Sequence, residues 1–146
     1  DTAFRMKAPI TINLIFAFLV FAFSCSAYAR MPEQLINYPA IPVATSSGKA
    51  LNADQVCQIV REVAEQKKWR VGVQPDGKLL ASLSWNADKH TIVVEVSCSA
   101  ASYSVVYKDS INMNFSSQDG QMIIHPHYNK FVKELNDSIR VRLMTL

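Results

Sequence analysis

Between Lys78 and Phe115 the apolar residues recur at every second position, and no other feature restricts the fold as much. "KLLASLSW" places Leu79, Ala81, Leu83 and Trp85 on one side and Leu80, Ser82 and Ser84 on the other. "HTIVVEVSC" sets Ile92, Val94, Val96 and Cys98 against Thr91, Val93, Glu95 and Ser97. "SYSVVYK" groups Tyr103, Val105 and Tyr107, and "INMNF" groups Ile111, Met113 and Phe115. Successive side chains of a strand point to opposite faces, so these segments are expected to be half-buried strands. Pro75-Asp76-Gly77 and Asn86–Lys89 interrupt them as short turns. "WRVGVQ" precedes the first turn as a further strand, Ser116–Gly120 reads as a polar turn, and "QMII" as a last short strand. Short turns between four or five strands give an antiparallel meander with one face buried.

Two segments change to helical spacing. In "LNADQVCQIVREVAEQKKW", Asn52 is the expected cap, and Val56, Ile59, Val60 and Val63 form an apolar stripe with Cys57 beside it. In "HPHYNKFVKELNDSIRVRLMTL", Tyr128, Phe131, Val132, Leu135 and Ile139 recur every three or four residues, and Pro126 suits a first helical turn. The expected fold is α+β. It is a two-layer sandwich, a four- to five-stranded antiparallel meander with an N-terminal and a C-terminal helix on one face.

The first 29 residues read as an export signal. Arg5 and Lys7 are its positive region, Ile10–Ser24 carries no charge, and Ala27-Tyr28-Ala29 is a small-x-small cleavage site. Met6-Lys7 resembles a start, which makes residues 1–5 an expected upstream extension. A second reading lipidates Cys25, but Ala22-Phe23-Ser24 has a bulky Phe23 and no Leu three residues before the cysteine. Residues 30–50 hold Pro32, Pro39 and Pro42 and form an expected extended arm, lying along a sheet or free; 51–146 is one α+β domain. Without residues 1–29, Lys+Arg falls from 15 to 13 and Asp+Glu from 12 to 11. A net charge of about +2 gives no footprint for nucleic acid. Membrane contact is then expected only through the signal or an anchor at Cys25. The two remaining cysteines, Cys57 and Cys98, are an even pair in a chain leaving the cytosol, and a disulfide is expected between the first helix and the sheet.

Candidates for chemistry are few. His125 and His127, with His90, could supply imidazole ligands to a metal, but no H-E-x-x-H or C-x-x-C motif accompanies them. The plainer reading makes His125 a strand end or helix cap and leaves His127 at the surface. A hydrolase would pair His90 or His125 with a serine, yet the serines from Ser82 to Ser104 alternate as a sheet's outer face does and no G-x-S-x-G elbow occurs. Glu95 lies mid-strand, where Lys108 or Arg70 is the expected cross-strand partner. Tyr38 and some of Tyr103, Tyr107 and Tyr128 are candidates for a patch that takes a peptide, glycan or lipid headgroup, with core packing the plainer reading.

Three runs together carry a resemblance: "KLLASLSW", "HTIVVEVSCSAASYSVVYKDSINMNF" and "IIHPHYNKFVKELNDSI". Over Ile41–Ile139 the chain resembles a family of small exported proteins of Gram-negative bacteria, many with lipoprotein signals. Its most specific parts are Ser102-Tyr103-Ser104 with Tyr107, Ser110 and Asn112, and Ile124, His125, Tyr128 and Asn129. The resemblance implies an envelope location and no classical enzyme chemistry. It also groups Tyr103, Tyr107, His125, Tyr128 and Asn129 as a possible binding cluster, or as a structural tie between the last helix and the sheet. The expectation is a non-enzymatic, monomeric envelope protein without a cofactor. It would bind an envelope protein or ligand through the polar sheet face or the Pro-rich arm. The alternatives are a metal-binding protein using His125 and His127, or a small hydrolase.

Overall fold

A computed structural model describes Ala3 and residues 30–146. The expected signal segment, with Cys25, lies outside the described residues apart from Ala3. Eight strands and two helices follow in the order β1 (Glu33–Gln34), β2 (Tyr38–Pro42), α1 (Ala53–Gln66), β3 (Arg70–Val73), β4 (Leu79–Trp85), β5 (His90–Cys98), β6 (Ser102–Ile111), β7 (Ser116–Gln118), β8 (Gln121–Ile124) and α2 (Pro126–Met144). The main sheet has strand order β2-β6-β5-β4-β3, and a smaller one has order β1-β8-β7. Every pairing is antiparallel. The fold is therefore α+β, with a meander from β3 to β6 and the arm's β2 added at its edge.

Helix α1 starts where its sequence can satisfy the free N–H groups of a first turn. The Asn52 side chain accepts from the Gln55 amide at 2.8 Å, and the Gln55 side chain accepts from the Asn52 amide at 2.9 Å, a reciprocal capping box. It ends with Lys68 at φ 70, while the Lys68 and Trp69 amides donate to the Glu65 and Ala64 carbonyls. That left-handed closure turns the chain and buries Trp69. Helix α2 begins at Pro126, which needs no N–H partner there.

Both helices cover one face of the main sheet. Val56, Val60 and Val63 of α1, and Tyr128, Val132, Leu135 and Ile139 of α2, share one core with Ile92, Val94, Val96, Tyr103 and Val105. Cys57 and Cys98 are bonded across this layer, with Cα atoms 5.6 Å apart. The other face of the sheet carries the register row Gly72–Leu80–Glu95–Val106. Glu95 sits there between Lys78 and Lys108, each 3.6 Å away. The Gln74 amide donates to it at 3.0 Å. Gln74 first, then the two lysines, hold Glu95 below the ordinary carboxylate pKa.

The expected common face for Ile111, Met113 and Phe115 is not formed. Val93 pairs with Asp109 but Val94 pairs with Tyr107, so Lys108 is an extra residue in β6. A one-residue bulge exchanges the two faces beyond it. Ser110 therefore turns inward and Ile111 outward, where it is 56% exposed. Asn112 and Asn114 then take φ near +50° and end the strand, and Met113 alone of the three is buried. The polar segment after it is not all turn. Ser116–Gln118 pairs with β8, and only Asp119-Gly120, both at positive φ, make the hairpin turn.

Replacing Cys57 and Cys98 together by Ser removes the constraint on a loop with a sequence separation of 41. It is expected to lower unfolding free energy by about 3–4 kcal/mol, read as a lower urea midpoint. An unchanged midpoint would contradict the stapling role.

Candidate functional site

The Pro-rich arm is built into the protein, paired with β8 and β6 and tied to one side chain of α2. Asn129 is buried at the end of the first turn of α2. Its Oδ1 accepts from the Ile36 amide at 3.0 Å, and its Nδ2 donates to the Gln34 carbonyl at 2.8 Å and to Glu33 Oε2 at 3.1 Å. The arm's Asn37 Oδ1 accepts from the Tyr107 amide at 2.8 Å. The Leu35 amide donates to the Met122 carbonyl and the Val43 amide to the Ala101 carbonyl. Between these anchors β2 pairs with β6, Tyr38 opposite Val105 and Ile41 opposite Tyr103. Pro39 and Ala40 on β2 thus oppose Ser104 alone on β6, and Pro39, which has no N–H, falls in this irregular step.

Holding the arm there leaves a groove between β2 and the second half of α2. Its volume is 730 Å³, and Tyr38, Ile41 and Pro42 face Asn136, Arg140 and Leu143 across it. Val141 and Met144 form its exposed rim, at 66% and 52% exposure. A smaller groove of 390 Å³ continues from Tyr38 towards the start of α2, past Lys133 and Lys130 to Arg30. Asn136 is 4% exposed, and its Oδ1 accepts from the Tyr103 hydroxyl at 2.6 Å.

The candidate cluster is only partly one site. Tyr107 and Tyr128 meet edge to face with centroids 5.5 Å apart, and Phe115 stacks on Tyr107 at 4.4 Å. Tyr103 bonds to Asn136, Asn129 bonds to the arm, and His125 faces His127. Burial raises the pKa of Tyr103, Tyr107 and Tyr128. The Tyr128 hydroxyl is buried without a partner among the described residues. These residues chiefly join arm, helix and sheet.

His125 caps α2: its Nδ1 accepts from the His127 amide at 3.1 Å. Two of the histidines pack on Trp85, and the third, His125, meets His127. His90 stacks on Trp85 at 5.4 Å, His127 meets it edge-on at 6.2 Å, and the His125 and His127 centroids are 4.6 Å apart. Other atoms occupy part of each of His90 and His127. His90 Nδ1 lies 3.1 Å from the Asn112 carbonyl, and His127 Nε2 lies 3.3 Å from Arg30 Nη1. Burial, then the charges of His125, Arg30, Lys130 and His90, push the His127 pKa below its ordinary value. Among the described residues no three His, Cys, Asp or Glu side chains are grouped to hold a metal ion. Nor does any serine hydroxyl there hydrogen-bond to a histidine; Ser84, Ser99 and Ser110 bond to Thr91, Ser102 and Tyr107. No described helix is long and apolar enough to cross a membrane.

The sequence reading named Asn129 but not Asn136 or Arg140. The signal for Asn136 was its spacing: seven residues after Asn129, it lies on the same side of α2, at the edge of the apolar stripe. Set against family models, curated proteins and solved structures, the chain has no match to any of them.

Two tyrosine-to-phenylalanine changes separate partnered from unpartnered hydroxyls. Tyr103→Phe leaves Asn136 Oδ1 buried without its donor and is expected to cost about 1–3 kcal/mol. Tyr128→Phe removes a hydroxyl with no partner and is expected to be neutral or stabilising. Urea unfolding of both variants checks this, and an equal loss in both would contradict the assignment.

Proposed function

We propose that this is an exported, non-catalytic binding protein of the bacterial envelope, with the groove between β2 and α2 as its binding site. The groove is the observation that carries the reading. It is the largest of the surface depressions described, its walls are apolar, and its polar groups converge on one side. That combination is typical of ligand sites. The arm that forms one wall is one of the two surfaces the sequence suggested for partner binding, the other being the polar sheet face. Export is supported by the Cys57–Cys98 bond, which an oxidising compartment maintains, and by the signal pattern over residues 1–29. The absence of catalysis is supported by how the histidines are used, as a helix cap and as packing around Trp85.

Native mass spectrometry of the protein recovered from the envelope of its own cell tests this. The reading predicts bound mass that is lost in Val141→Asp, at the groove rim, and kept in Val73→Asp, an exposed control on edge strand β3. No bound mass, or equal retention in both variants, would contradict it. So would turnover of an ester, peptide or glycan that one substitution abolishes.

A further inference from the structure

We propose that the groove takes a single-chain acyl amphiphile with an anionic head, of which a free fatty acid is the simplest. The inference rests on the binding reading above and names the class of ligand. Its first support is Asn136. The side chain is almost wholly buried, its Oδ1 is taken by Tyr103, and its Nδ2 makes no hydrogen bond among the described residues while the residue lines the groove. The unpartnered enclosed atom among the described residues is the Tyr128 hydroxyl, so Asn136 Nδ2 opens on the groove, where it can donate to whatever occupies it, water included. A head-group oxygen would be such an acceptor.

The second support is Arg140, one turn further along α2 on the same groove. It makes no ion pair among the described residues, whereas its neighbour Asp137 is held by Lys133. A free guanidinium beside a free amide donor suits a carboxylate, which accepts from both. The rest of the lining is mainly hydrocarbon, Ile41, Pro42, Val141, Leu143 and Met144, with the Tyr38 ring and the Asp137 carboxylate, whose charge Lys133 offsets. The volume of 730 Å³ lies within the range of small-molecule sites, about 300–1,000 Å³.

The third support separates an acyl chain from an extended peptide. A peptide added at a sheet edge is held by a ladder of backbone hydrogen bonds. The open edge of β2 contains Pro39 and Pro42, which donate none, and its register is broken between Tyr38 and Ile41. A hydrocarbon chain needs no such ladder.

The test is a ¹H–¹⁵N titration of the exported chain with sodium dodecanoate below its micelle concentration. Saturable shifts are expected at the Asn136 side-chain amide and at Ile41, Leu143 and Met144. Arg140→Gln, a change at an exposed position, is expected to weaken binding by about tenfold, as loss of one charge-assisted bond implies. Dodecyl maltoside, with the same tail and an uncharged head, is expected to bind weaker by a similar factor. Shifts outside the groove, failure to saturate, or equal binding by Arg140→Gln or by the maltoside would overturn the proposal. If dodecanoate fails while envelope-derived mass still depends on Val141, the ligand class is wrong and the binding site stands.

Discussion

Asn129 exchanges three hydrogen bonds with the arm from a buried position on α2, and the placing of the arm beside the groove depends on that tie. The backbone of residues 33–36 has no other partner on the helix. Without the tie the arm would keep its pairing with β6 and β8, and Ser46 and Ser47 would still donate to the Leu146 carbonyl beyond α2, but its first residues would lose their hold on the helix whose distance from β2 sets the width of the groove. A side-chain amide suits the role because it donates and accepts at one place. Asn129 itself is buried while its partners on the arm are exposed, so removing the amide is costly chiefly for the two bonds to backbone groups. At the other end of the layer the Cys57–Cys98 bond fixes α1 against β5, so both helices are held to the same face by something besides apolar packing.

Because both helices lie on one face, the other face of the main sheet is left open. The protein manages that exposure in three ways. Serines and threonine occupy much of the face. Glu95 at its centre is neutralised by Lys78 and Lys108. The edges are short or blocked, β3 by its four residues and β2 by its prolines. These are the means by which sheet proteins avoid edge-to-edge pairing, and the arm–α2 groove lies on the opposite side of the sheet edge, among the helix-facing residues.

Local rules account for what could be seen in the sequence. The Asn52–Gln55 capping box, the Pro126 helix start, the alternation of β4 and β5 and the cysteine pair each depend on residues close in sequence or on one periodicity, and each is present. What could not be seen depends on pairing. The bulge at Lys108 exists only relative to β5, and a strict period of two gave no sign that Ser110 and Ile111 would exchange faces. Ser116–Gln118 lacks apolar residues and becomes a strand because β8 offers it partners. The groove joins residues 38–44 to residues 136–144, about a hundred positions apart, so no spacing could show it. The tyrosine and asparagine residues singled out from sequence proved to be mostly ties within the fold, with Asn136, which had not been singled out, next to the open site.

The histidines show the same division. His125-Pro126-His127 has the spacing of a ligand pair, but its first imidazole accepts the helix's second amide and its proline supplies the fixed φ of a first turn. Capping thus accounts for the motif, and Trp85 accounts for the nearby His90. The claim on which the rest depends is that the arm is a fixed wall. Amide hydrogen exchange of residues 30–146 tests it most directly, at Leu35, Ile36 and Val43, whose N–H groups are bonded to Met122, Asn129 and Ala101. The account predicts slow exchange at all three, with Ile36 losing its protection in Asn129→Ala. Exchange at free-chain rates at all three in the unaltered protein would contradict it.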